Sequence, residues 1–316
     1  MLARLQQVTT LGALLLAALW AWLFARAGHP GWAVAGALLV VGGYALVLGL
    51  EFALLRHAHG NDPTPLATPA QLLRAWWGEV RSAPTVFCWR QPFFSERFPD
   101  SLPPDSLGRR GVLLVHGFVC NRGLWNPWLA RLRQAGVPVV AVNLEPVFGR
   151  IDDYVPRIEA AVRRLEQHTG LPPVVVAHSM GGLAVRRWWA EQGGDSERLH
   201  HAITLGTPHH GTWLARFAMT PNARQMRQQS RWLRDLAARE PAARSARFTC
   251  FYSHCDNIVF PPSTATLRGA DNRHLPGVAH VHMAEMPEPW AELQRWLGPQ
   301  PAVPGPSPTI PPPMRS

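Results

Sequence analysis

The chain has 316 residues, 47% hydrophobic and 16% charged, with a net charge of +10 and arginine as its sole basic residue besides histidine. That length holds one sizeable α/β core with a further segment to spare, and the low charged fraction traces to an apolar N-terminus. The four cysteines lack CxxC or zinc-finger spacing, and no arginine stripe is interleaved with aromatics, which argues against nucleic acid; the positive balance suits anionic lipid.

Residues 8–25, "VTTLGALLLAALWAWLFA", carry no charge and are long enough to cross a bilayer at 1.5 Å per residue. Residues 32–55 form a second apolar run in which Glu51 is the one charged residue. "RAGHPG" between them is a short turn, and Trp20, Trp22 and Trp32 suit interfacial positions. The pattern predicts a membrane helical hairpin over 1–60. A competing reading takes 1–27 as a signal peptide, with Arg4 ahead of the apolar run and Ala25-Arg26-Ala27 as the cleavage site. A third takes both runs as buried soluble helices. Arg4 and the amino terminus fall on one side with Arg56, Arg74 and Arg81, against Arg26 in the turn, so the positive-inside rule favours both ends in the cytoplasm.

"HAHGNDPTPLATP" opens a linker and N-terminal extension over 61–107, and 299–316 is a Pro-rich tail that cannot form a core. Between them, 108–298 reads as one folded domain. "RRGVLLVHGF" is a strand ending in His-Gly, followed by a helix over 121–136 and a strand over 137–146. A helix over 151–170 has an apolar face through Val155, Ile158, Ala161 and Leu165 and stops at Gly170. Strands follow at "PPVVVAHS", 201–208, 246–256 and 274–278, and a last helix covers 288–298. Apolar strands alternating with helices predict a mostly parallel α/β sheet covered on both faces. The interval 213–245 breaks the rhythm: it is either a crossover helix with a solvated arginine face or a lid over an apolar cleft.

The stretch "VVVAHSMGGLAV" places Ser179 between a strand and a helix, the setting of a nucleophile elbow. Ala177 stands where a glycine is usual, a change of one methyl. The bland alternative is a helix N-cap. A serine nucleophile needs a base and a group to orient it, and both follow later in the chain. Asp256, just past the fifth strand, is the acid, with Asp271 as its rival. His280 follows the last strand and is the base, with His282 in reserve. The backbone N–H groups of Phe118, after His-Gly, and of Met180, after the serine, supply an oxyanion hole. His178 lines or packs beside the pocket. Cys250 and Cys255 flank a turn and could pair, although reduced thiols are the simpler reading.

Together the blocks "LLVHGFVCNRGLW", "VNLEPVFGRIDDYV", "VVVAHSMGGLAVR", "AITLGTPHHGTWLA" and "DNIVFP" through "GVAHVHM" resemble the α/β-hydrolase family of bacterial serine lipases and esterases. The resemblance runs from about residue 108 to 298 and implies an α/β-hydrolase fold with a Ser179–Asp256–His280 triad and an oxyanion hole at Phe118 and Met180. It also implies that His116, Gly117, His209 and His210 line the pocket. The implied activity is ester hydrolysis through an acyl-enzyme, without metal or cofactor, on an apolar or lipid ester. The hairpin makes the expected location the bacterial inner membrane and sets the chain apart from secreted lipases. A thioesterase, lysophospholipase or amidase would use the same triad, and a membrane-tethered binding or scaffold protein is the non-enzyme alternative.

Overall fold

A computed structural model describes residues 1–192, 197–240 and 242–298; the expected tail at 299–316 lies outside them. The N-terminal part is helical: α1 (Leu2–Arg26), α2 (Pro30–Gly42), α3 (Tyr44–Ala58) and α4 (Pro69–Pro84). Of these, α1 is long and apolar enough to cross a membrane. The second expected span is not one straight helix. It breaks between α2 and α3 with a bend of 53°, where the adjacent Gly42 and Gly43 are poor helix residues at which kinks concentrate. Helices α1 and α2 pack as a hairpin, and Gly36 makes this possible, since a Cβ there would lie 1.9 Å from Trp20 Nε1.

The stretch expected as a linker is more structured than its composition suggested. Thr68 and Gln71 form a capping box that starts α4. The same rod continues through a π-helical segment, Thr85–Arg90, into α5 (Gln91–Phe94). The π segment directly follows Pro84, which lacks the N–H that a regular turn uses.

The remaining chain forms a six-stranded, all-parallel sheet in the order β2-β1-β3-β4-β5-β6. Its strands are β1 (Val112–Val115), β2 (Val139–Ala141), β3 (Val174–His178), β4 (His201–Leu205), β5 (Phe248–Tyr252) and β6 (Asp271–His274). The first five are buried almost throughout, as the valine and leucine runs of β1, β2 and β3 require, and β4 and β5 add Ile203, Leu205, Phe248 and Phe251 to the same core. One core packs α7 (Val155–Thr169) and α8 (Met180–Glu191) on one face around Tyr154 and Trp188. The other packs α6 (Asn126–Gln134) and α11 (Pro287–Leu297) around Trp125 and Trp128. Gly170 closes α7 in the left-handed region at φ 71°, as its sequence position predicted.

The sixth strand is displaced from its expected place at 274–278. Pairing with β5 runs from Asp271 to His274, an exposed edge strand whose polar composition concealed it. The interval 213–245 is a crossover from β4 to β5 made of a 3-10 turn (Trp213–Phe217), α9 (Pro221–Gln225) and α10 (Arg231–Ala238). Asp152 pins it, accepting from Gln225 Nε2 at 2.7 Å, Trp232 Nε1 at 3.0 Å and Arg187 Nε at 2.7 Å.

Candidate active site

In this sheet the order reverses between β1 and β3, and crevices at such switch points, outside the carboxyl ends of the strands, are where open α/β sheets bind ligands. The β1 loop delivers Phe118 there, and the end of β3 delivers Ser179.

Ser179 has φ 54° and ψ −128°, a backbone conformation that costs a non-glycine residue on the order of 1–3 kcal/mol. It stands at the N-cap position of α8, yet its side chain makes no capping hydrogen bond, so the bland alternative does not hold. The turn is clamped from β4: Ser179 N–H donates to Leu205 O at 2.8 Å, and Thr207 Oγ1 donates to Ser179 O at 2.9 Å. Close packing requires the glycines around it. A Cβ on Gly181 would lie 2.5 Å from His116 O, and one on Gly117 would lie 2.8 Å from Ser179 Cβ. Ala177 is buried within β3, where its methyl belongs to the core.

Asp256 and His280 are brought together. His280 Nδ1 lies 2.9 Å from Asp256 Oδ2. A carboxylate only accepts, so Nδ1 donates and the neutral ring keeps its lone pair on Nε2. The other oxygen, Asp256 Oδ1, accepts from Ile258 N at 2.9 Å and Val259 N at 2.8 Å, which fixes the carboxylate in the turn after β5. The rivals are elsewhere: Asp271 pairs with Arg273 on the edge strand, and His282 N–H donates to Glu79 Oε2.

The site's histidines are electrostatically distinct. Burial pulls His178 down to about 3 and His116 down to about 4, so both are neutral at physiological pH. Burial acts on His280 in the same direction, but the adjacent Asp256, joined by Glu79 and Glu51, outweighs it and holds His280 above its ordinary value. Of these three, His280 alone keeps a proton affinity above that of an ordinary histidine, which suits a base that must also return the proton.

An apolar cavity of about 740 Å³ reaches Ser179, His280, His178 and Phe118. Met180, at the first position of α8 where amides lack intrahelical partners, is buried behind the serine. Of the residues expected to line the pocket, His178 does so; its Nε2 lies 3.1 Å from His280 O and its ring lies 4.6 Å from that of His280. The other four are not on the wall. His116 is a strut, accepting from Leu144 N at Nε2 (2.9 Å), and Gly117 is packed under the serine. His209 is in the core beside Arg186 and Thr204, and His210 is exposed. Polar residues flanking the serine give no sequence sign of whether they face the cavity or the sheet.

Three polar residues at the site were not anticipated. Asn257 accepts from His280 N at 3.2 Å and donates from Nδ2 to Glu51 Oε2 at 2.6 Å, so α3 is tied to the histidine loop. Glu79, on α4, accepts from Val281 N at 3.0 Å; burial pushes its carboxyl up to about 7 despite these backbone donors. A single carboxylate in an apolar run is itself a functional signal, so Glu51 was detectable. Among the described residues, the interval 213–245 contributes none to the cavity wall, whereas α1, α2, α3 and α4 do. Cys250 and Cys255 are separate buried thiols.

Gly206 provides a test of how the acid–base pair is held. At φ 55° a Cβ there would lie 2.7 Å from Asp256 Oδ2 and 3.0 Å from His280 Nδ1. Gly206→Ala is expected to lower kcat/KM about 100-fold, the usual consequence of misplacing a reacting group by about 1 Å. Steady-state kinetics beside a melting curve checks this; full activity in folded protein would show that the pair tolerates displacement.

A sequence model of the alpha/beta hydrolase family matches residues 112–313. The search of curated proteins finds no match. Among solved structures, the mature form of Bacillus licheniformis lipase BlEst2 is similar at 16% identity with a TM-score of 0.52, over 63% of this chain and 96% of that one. Its propeptide form aligns at 16% identity and a TM-score of 0.51, over 65% of this chain and 53% of that one. At this identity the likeness is one of fold.

Proposed function

The chain belongs to the alpha/beta hydrolase family, and on that premise we propose that it is a membrane-anchored serine hydrolase of carboxylic esters. The observation that carries this reading is a serine on a strained strand-to-helix turn, sharing a cavity wall with a histidine that is oriented by a buried aspartate. In the proposed reaction His280 Nε2 takes the Ser179 proton as Oγ attacks the ester carbonyl. The N–H groups of Phe118 and Met180 hold the resulting oxyanion. The C–O bond to the alcohol then breaks as His280 returns the proton to the leaving oxygen. Water, deprotonated by His280, cleaves the acyl-serine to a carboxylic acid and restores the hydroxyl.

The lipase name of the structures sharing this fold, and the apolar lining of the cavity, favour an apolar acyl ester over a polar one. We assign α1 as a membrane span and the bent α2–α3 pair as its return, which places both ends of the hairpin on the cytoplasmic face of the bacterial inner membrane. The large apolar side chains exposed along these helices, among them Leu15 and Leu38, support their insertion in a membrane, and the side follows from the arginines flanking the spans.

The test is covalent. A fluorophosphonate probe is expected to label the native protein on Ser179, mapped by peptide mass spectrometry. Folded protein that stays unlabelled would leave the scaffold alternative standing. Comparing p-nitrophenyl esters with acyl-CoA and anilide substrates then separates esterase from thioesterase and amidase.

A further inference from the structure

The cavity that ends at Ser179 is walled largely by the N-terminal helices, which precede the family-matched segment beginning at residue 112. Helix α1 contributes Thr10, Ala13 and Leu14, and the broken helix opposite contributes Val41, Val47 and Leu48. The lining is mainly apolar. Ala13, Leu14, Val41, Val47 and Leu48 form its apolar part, the hydroxyls of Thr9, Thr10 and Tyr44 interrupt it, and Glu51, Asn257 and His280 are the polar groups it shares with the serine. The bond from Asn257 Nδ2 to Glu51 makes α3 part of the site rather than a tether beside it.

Helix lengths place the mouth of this cavity. The whole of α1, 25 residues, is about 38 Å long, but the part beyond Ala13 is only about 20 Å. Helix α2, with 13 residues, is also about 20 Å. A hydrocarbon layer is about 30 Å thick, so a hairpin that crosses it must submerge the level of Ala13 and Val41 by about 10 Å. The outer surface agrees: apolar exposure continues past the mouth toward the catalytic domain, with Val8 70% and Leu46 69% exposed.

We propose that α1 and the bent α2–α3 helix form a lateral acyl groove, which takes one fatty-acyl chain of a bilayer lipid directly from the hydrocarbon layer. The chain lies against Ala13, Leu14, Val41 and Leu48, and its ester carbonyl comes to rest at Ser179. The assignment rests on the ester-hydrolase reading above. It gives the substrate class as long-chain lipid esters, with kcat/KM rising by up to about fourfold per methylene that the groove buries.

The test uses the full chain in neutral-detergent micelles and the ratio of kcat/KM on p-nitrophenyl palmitate to that on p-nitrophenyl butyrate. In Ala13→Trp an indole fills the groove from α1, and in Leu48→Trp it does so from the facing wall. The ratio is expected to fall at least fivefold in each variant that still takes a fluorophosphonate on Ser179. A smaller fall in a labelled variant overturns the groove and leaves that face for another helix. Should neither variant label, the native protein decides: a kcat/KM that does not rise from butyrate to palmitate overturns the groove equally. Native protein inactive on every ester defeats the hydrolase reading and the groove with it, whereas an active native enzyme with an unmoved ratio defeats the groove alone.

Discussion

Ser179→Ala is expected to lower kcat/KM on p-nitrophenyl butyrate by about 10⁵-fold, with the protein folded and its melting temperature nearly unchanged. The size follows from the role: loss of a nucleophile removes the covalent route entirely and leaves what binding and oxyanion donors achieve without it. Stability should hardly suffer. The side chain caps nothing, and the bonds that clamp the turn run through the backbone of Ser179, which alanine retains. Replacement by glycine would relieve the strain at φ 54° and is expected to stabilise the fold while being equally inactive. Activity and stability would thus move in opposite directions at one residue. A Ser179→Ala enzyme retaining more than a tenth of native kcat/KM would end the nucleophile assignment.

Asp256→Asn is expected to cost about 10⁴-fold in kcat, because an amide can offer its N–H to Nδ1 and hold the imidazole in the wrong tautomer. A pH profile separates this from simple structural damage. In the native enzyme the base must be unprotonated, so activity falls as pH drops through the His280 pKa. Burial would set that pKa low, but Asp256 holds it above its ordinary value, with Glu79 and Glu51 adding to the effect. Without the aspartate's charge, burial has less to oppose it, and the acid limb of the residual activity should shift to lower pH. A limb that stays in place would mean that Asp256 does not set the proton affinity of the base. The same profile tests the choice of histidine, since His178 and His116 are held at about 3 and about 4, below the ordinary histidine value that His280 exceeds.

Much of the catalytic domain was legible in the sequence, because its signals are local. Valine-rich runs mark buried parallel strands, Gly170 marks a helix end, and "AHSMGG" between strand and helix marks a tight turn. Order along the chain then singled out Asp256 and His280, which the fold brings to 2.9 Å of each other. The errors have equally physical sources. The β6 edge strand is polar and exposed, so it lacks the apolar pattern that betrayed the other strands. His209 and His210 are adjacent in sequence, but one is sealed beside Arg186 and the other faces solvent, a difference set by distant packing. Of the two readings the sequence left open for 213–245, crossover and lid, composition could not choose; the bonds from Gln225 and Trp232 to Asp152, 73 and 80 residues away, tie the segment to the core.

The N-terminal helices show the limit of sequence most clearly. Composition alone marks them as suited to a membrane, and the lone Glu51 could be seen as out of place. Which face of each helix meets the catalytic domain could not be read, because a segment that is apolar all round has no stripe from which to infer an orientation. The sequence by itself determined the chain order of the proposed chemistry: a candidate nucleophile directly after β3, then a candidate acid in the turn after β5, then a candidate base in the loop beyond β6. The tertiary structure alone decided that α1 and α2–α3 wall the cavity and that Glu51 and Glu79 reach the histidine loop. Those arrangements are contacts between residues some 200 positions apart, and only packing selects them.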